Sequence, residues 1–158
     1  MVRRLLAMTL VAVGTLGLVG APAHAVTEIT ATFSVTRTTS GPALYNLRTL
    51  VNVPMTKAQA DAHLLNGGRI ELRFYGEDPL FDNLLIGPIT YVRTATGLST
   101  NDLGVALDAQ WQELPGSWLN EDDGFLDGRG DEVYVKAKWI DGNGATVQAK
   151  SNVVKGIF

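Results

Sequence analysis

No cysteine occurs among the 158 residues. That absence excludes disulfide staples, thiol nucleophiles, iron–sulfur clusters, cysteine-rich zinc sites and lipid attachment through a lipoprotein cysteine. Histidine is nearly as scarce. Of the two, His24 belongs to the N-terminal leader described below, which leaves His63 alone. Zinc spacing built on several histidines is therefore missing. A Ser-His-Asp arrangement would need His63 beside a serine and an acid. It falls instead in the one helical stretch, as a surface or packing histidine. Base is also short: 13 Lys and Arg face 16 Asp and Glu. Two of those bases and none of the acids lie in the leader, so the remainder carries a balance of −5. Nucleic acid and anionic lipid are poor partners for such a surface.

The first 25 residues read as a secretory signal peptide. Arg3 and Arg4 supply the positive start, Leu5 to Gly20 the apolar run, and Ala23-His24-Ala25 the small-x-small cleavage site. Gly14, Gly17 and Gly20 interrupt that run, and it is short for a hydrocarbon core about 30 Å thick. Cleavage after Ala25 is expected, giving a secreted chain with no membrane insertion afterwards. The 133 residues from Val26 to Phe158 suffice for one domain, expected to be a monomer. Without disulfides it must be stabilised by packing or by a bound ion.

Alternation then predicts strands. In Thr27 to Arg37, Ile29, Ala31, Phe33 and Val35 point one way and the threonines and Ser34 the other. Further strands are expected at Leu44 to Val53, Arg69 to Tyr75, Leu84 to Arg93, Val105 to Trp111, Val133 to Trp139 and Ala145 to Val154. Gly87-Pro88 inside the fourth implies a bulge or an edge position. Thr56 and Gln59 fit a capping box for one short helix, which Asn66-Gly67-Gly68 ends. Asp141-Gly142-Asn143-Gly144 is a tight hairpin turn. Thr94 to Asp102 reads as a polar connection and Glu113 to Gly130 as a long loop. Trp111 and Trp139 read as core, Tyr75 and Tyr134 as outward-facing. About seven strands and one helix predict an all-β antiparallel sandwich, immunoglobulin-like or C2-like in shape, with a closed barrel as runner-up.

Two loops hold the chemistry. Asn120 to Glu132 (NEDDGFLDGRGDE) packs six carboxylates, three glycines and one base into 13 residues, and Gly76 to Asn83 adds Glu77, Asp78 and Asp82. Antiparallel parity places both loops, with the Thr38 to Pro42 turn, at one end of the sandwich. The segments RFYGEDPLFDNLL, LNEDDG, DEVYVKAKW and the closing SNVVKGIF resemble an uncharacterised group of small secreted bacterial single-domain β proteins. The resemblance implies export and a single domain, and brings no activity with it.

Calcium takes six to eight oxygens at about 2.3–2.6 Å, which carboxylates on neighbouring loops can supply. Asp122, Asp123, Asp127, Asp131 and Glu132 are candidate ligands from one loop, and Glu77, Asp78 and Asp82 from the other. The EF-hand register fails, because Glu132 stands where glycine is required and Lys138 where the closing glutamate belongs. The plainer alternative is a solvated loop in which Arg129 pairs locally and Asp side chains cap turns. Arg129-Gly130-Asp131 spells an integrin-binding tripeptide, a sequence that Gly- and Asp-rich loops produce by chance. Paired carboxylates could hydrolyse glycosides, but a small sandwich offers little groove for them. The expectation is therefore a non-catalytic exported domain that binds an extracellular protein or glycan through its acidic pole. Trp118, Asn120 and Arg129 are the candidate contact residues, and calcium a candidate cofactor. A secreted protease inhibitor is the first alternative and a small carboxylate-dependent hydrolase the second.

Overall fold

The computed structural model describes residues 28–38, 43–77, 81–120, 130–156 and 158. Nine strands and one α-helix follow in the order β1 (Thr30–Arg37), β2 (Leu44–Pro54), α1 (Lys57–Leu65), β3 (Arg69–Gly76), β4 (Asn83–Tyr91), β5 (Leu98–Asn101), β6 (Gly104–Pro115), β7 (Asp131–Ile140), β8 (Thr146–Lys150) and β9 (Val154–Gly156). One sheet has the order β1-β2-β6-β5. The other has β4-β3-β7-β8, with β9 also pairing β7, and all pairs are antiparallel. The fold is thus an all-β sandwich.

The core follows from the alternation. Phe33, Leu47, Val51 and Val53 from one sheet meet Ile70, Leu72, Phe74, Val135 and Trp139 from the other, all nearly inaccessible. Burying each such side chain stabilises by roughly 1.5–3 kcal/mol. Edge-on aromatic contacts run across the interior from Phe33 to Phe74 (5.5 Å), Phe74 to Trp111 (5.2 Å) and Trp111 to Tyr91 (6.4 Å). Trp111 is only half buried, because it lies toward one open side of the sandwich. Thr49 Oγ1 and Trp139 Nε1 are buried without a hydrogen-bond partner among the described residues.

Helix α1 starts as the capping box predicts: the Gln59 N–H donates to Thr56 Oγ1 (3.3 Å) and the Thr56 N–H to Gln59 Oε1 (3.0 Å). It buries Ala60 and Leu64. His63 is a packing residue, edge-on to Trp139 and accepting the Gly142 N–H at Nδ1 (3.3 Å). The β7–β8 hairpin closes on Asp141, whose Oδ1 accepts from the Asn143 and Ala145 N–H groups, with Gly144 at φ +89°. β4 is an edge strand, and its register shifts on either side of Ile86, so the Gly87-Pro88 expectation holds in both forms.

Four expectations change. The connection Thr94 to Asp102 contains β5, a short polar strand that pairs with β6. β6 runs on to Pro115, so the long loop begins later than expected. The last strand breaks at Ser151–Val153 into β8 and β9. Tyr134 lies on the outer face of its sheet yet is fully covered, by Tyr75 and two lysines.

Candidate binding site at the acidic pole

The strand ends place the site. Leu44 lies opposite Pro115 in one sheet and Gly76 opposite Val133 in the other. The Glu77 N–H donates to the Glu132 carbonyl (2.6 Å), which joins the two acidic loops directly. Phe158 links the sheets at this end: its ring meets Tyr45 edge-on at 5.4 Å, and its N–H donates to Asp131 Oδ2 at 3.4 Å. The strand ends that flank the two loops and the Thr38 to Pro42 turn therefore lie at one end, as strand parity implies, even though a strand was missed. The missed β5 and the connection before it reverse direction together, which restores the parity.

The described carboxylates of the two loops are each engaged. Glu77 pairs with Lys150 (2.5 Å), Glu132 with Lys155, and Asp82 accepts from the Tyr134 hydroxyl (2.5 Å) and from Lys136 (3.3 Å). Asp131 is buried. The Tyr134 hydrogen bond, then Lys136, holds the Asp82 carboxyl below its ordinary range. Burial first, and Asp82 second, push the Tyr134 phenol up. Hydrogen bonds to Tyr134 and Asp82 raise Lys136, and Glu132 raises Lys155. Lys136 and Lys150 also lie over the stacked Tyr75 and Tyr134 rings, at 4.4 and 3.8 Å from the centroids of Tyr75 and Tyr134 respectively. This outer face is a closed polar network. Among the described residues no three carboxylates or histidines gather around a point where an ion could sit. Glu77, Asp82 and Glu132 would each have to leave a lysine to ligate calcium. Asp78, Asp122, Asp123, Asp127 and Arg129 lie outside the described residues.

Trp118 occupies a different setting. It ends a one-turn 3-10 helix, Gly116–Trp118, in which the Leu119 and Asn120 N–H groups donate to the Gly116 carbonyl (2.8 and 3.0 Å). Its neighbours are fixed. Gly116 is buried so tightly that a Cβ there would meet the Phe158 carbonyl carbon at 2.6 Å, and Leu119 is fully buried. Trp118 itself remains 51% exposed. Its inner side borders an apolar hollow of about 30 Å³ shared with Phe74, Ile86, Ile89, Trp111 and Leu114. A rigid turn thus presents half an indole to solvent. Asn120, exposed two residues further on, is the last described residue before the acids of this stretch.

No family model matches the chain, and no curated protein matches it. Two solved structures share part of its shape. One is the Bordetella pertussis protein assigned as ApaA, with a TM-score of 0.46 and 5% identity over 83% of this chain and 94% of that one. The other is the Northeast Structural Genomics Consortium target SoR45, at 0.37 and 10% over 83% and 86%. Neither likeness bears on function.

Sequence reasoning singled out Trp118 but missed its surroundings. The lysines that engage the acids sit at alternate strand positions, which read as ordinary solvent-facing residues until the register pairs them. Gly97, which ends the coverage of β6, and Glu113, at φ 56°, carry no sequence signal beyond residue type.

Proposed function

We propose that this chain is an exported, non-catalytic binding domain that takes hold of an extracellular protein at its acidic pole, with Trp118 as anchor. One observation carries the reading: a half-exposed indole at the end of a one-turn helix, between a buried glycine two residues before it and a buried leucine directly after it. Large aromatic side chains on rigid turns supply contact area with little conformational entropy to lose, and such residues dominate binding energy at interfaces. Export rests on the leader in residues 1–25. The test is capture from the extracellular protein fraction by the mature chain, Val26 to Phe158, against Trp118→Ala. A partner should be held roughly 30-fold more weakly by the alanine variant, compared at a temperature well below the unfolding midpoint of either chain. Equal capture by both chains would contradict the reading.

Calcium enters the proposal as a ligand of the acidic stretch, tested separately. A native-state ligand at a hundredfold excess over Kd stabilises by about 2.7 kcal/mol. A saturable rise in unfolding midpoint with calcium, reversed by EDTA and lost in Asp122→Asn/Asp123→Asn, is the expected outcome. A flat midpoint up to millimolar calcium would remove the ion.

A further inference from the structure

One side of the sandwich leaves two strand edges facing each other. β4 ends its sheet. β6 has β2 on one flank, but on the other β5 covers only Gly104 to Leu107. The last backbone bond on that flank runs from the Asp108 N–H to the Gly97 carbonyl, at 2.9 Å. Gly97 then turns the chain away. Its φ is +86°, and a Cβ there would approach the Asp108 carbonyl oxygen to 2.2 Å, so only glycine fits at this entry to β5. Among the described residues, the upper part of β6 pairs with β2 alone. Backbone groups alternate in direction along an antiparallel strand. The outward Asp108 N–H therefore carries Gln110, and Gln112 at the start of the bulge, to the same open side.

The groove beside this edge has the lining an added strand needs. A hollow of about 550 Å³ lies against Tyr91, Gly97, Asp108, Ala109 and Gln110. Tyr91 of this hollow meets Trp111 edge-on, and Trp111 in turn lines the separate apolar hollow beside Trp118. Three residues beyond Gln110 on the same strand stands Glu113, exposed, with its N–H donated to Asn46 Oδ1 (3.0 Å). The Glu113 carboxylate has no ion pair among the described residues, while the nearest other acid on the strand, Asp108, is taken by Arg48. The open stretch of β6 thus carries, at its end, an acid without an ion pair among the described residues, on a chain that is itself acidic.

We propose that the β6 edge at Gln110 and Gln112 accepts an extended segment of a partner protein as an added strand, one apolar residue seated against Trp118 and Trp111 and a lysine or arginine reaching Glu113. This rests on the reading that Trp118 anchors a protein partner, and names the form that partner takes. Main-chain hydrogen bonds supply affinity in such pairings, and pockets for alternate side chains supply specificity. The bulge at Glu113 and Pro115 beyond it end the slot, so only a short segment fits.

The probe is a short synthetic peptide of alternating threonine and valine flanked by lysines. Its controls are the same peptide N-methylated at alternate backbone nitrogens and a version flanked by glutamates. With isotope-labelled mature chain, the lysine peptide should slow amide exchange at Gln110 by about tenfold or more. Its affinity should fall roughly 30-fold in Trp118→Ala, and Glu113→Lys should reverse the preference for lysine over glutamate flanks. Gln110→Pro removes the outward N–H without touching the β2 ladder, as an edge strand allows, and should abolish binding. Binding without protection of Gln110, equal affinity for the N-methylated peptide, or no binding at millimolar peptide would each overturn strand addition. A chain that sediments as a dimer, and becomes monomeric in Gln110→Pro, would give the edge to a second copy and overturn it too. Partner capture that needs Trp118 but is not competed by the peptide removes strand addition alone. Capture indifferent to Trp118 removes both readings.

Discussion

The two lateral sides of this sandwich solve the same problem in opposite ways. Where β1 approaches β8 and β9, the chain seals the edge with side chains. Asn152 accepts the Phe33 N–H at Oδ1 and donates from Nδ2 to the Phe33 carbonyl, both at 2.9 Å. Ser151 accepts the Val135 N–H at 2.9 Å and donates to the Asn152 carbonyl at 2.7 Å. Asn152 behaves there as a one-residue strand. Where β6 approaches β4, no such plug occurs among the described residues: β5 begins only after Gly97, and indole and isoleucine side chains fill part of the gap. An exposed strand edge invites pairing, and proteins ordinarily blunt it. One side is blunted with hydrogen bonds and the other is left with aromatic side chains. That difference points to the open side as the one with work to do.

The comparison can be broken from either side, and the largest effect is expected at Gly97. Gly97→Ala must place a side chain at φ +86° against the Asp108 carbonyl. A loss of about 3 kcal/mol in urea unfolding follows from the left-handed backbone and the overlap together. A loss below about 0.5 kcal/mol would mean that the entry to β5 is slack, and that β6 is not held open by it. On the closed side, Asn152→Ala removes two partly exposed hydrogen bonds and should lower stability by about 1–2 kcal/mol. It should also speed amide exchange at Phe33. If it left both unchanged, the seal would be decorative and the two sides alike. Glu113→Gly relieves a left-handed conformation and should raise stability by about 0.5 kcal/mol, while weakening the lysine-flanked peptide.

The smallest effect separates the sides by pH. The start of β4 is tied to β7 through Asp82, Tyr134 and Lys136. The Asp82 carboxyl is held below its ordinary value of 3.8, so its contribution is present above that value and is lost as pH falls through the lowered one. The Tyr134 phenol is raised above its ordinary value of 10.0, so its contribution is intact below that value and is lost as pH rises through the raised one. The Asn152 seal is uncharged. Exchange at Leu84 to Ile86, corrected for intrinsic rates, should therefore quicken at both pH extremes while Phe33 stays constant until global unfolding. Parallel behaviour of the two regions would contradict this.

Much of the fold was legible because period-two alternation marks half-buried strands and the Thr56–Gln59 box marks a helix start. β5 was not. Its four residues, Leu-Ser-Thr-Asn, are too few and too polar to alternate visibly, and the hairpin with β6 and the turn at Gly97 hold it in place. The break at Ser151 was hidden because the residues on either side alternate, and only the hydrogen bonds of Ser151 and Asn152 to other strands take them out of the ladder. The site was half legible. Trp118 stood out as a loop aromatic, but its fixed presentation depends on Gly116 and Leu119 being buried, which is a tertiary fact. The density of acids suggested an ion. Lys136, Lys150 and Lys155 reach Asp82, Glu77 and Glu132 only through strand register, and no local pattern announces that pairing.

The open edge is tested most directly by native-state amide exchange on the mature chain, comparing Gln110 with Phe33. The account predicts that Gln110 exchanges close to the rate of an unfolded chain, because its N–H faces solvent. Phe33, held by Asn152, should exchange slower by orders of magnitude, through opening of the closed side. Equal, strong protection at Gln110 would show that the edge is already occupied, and the open side would lose its claim to be the binding side.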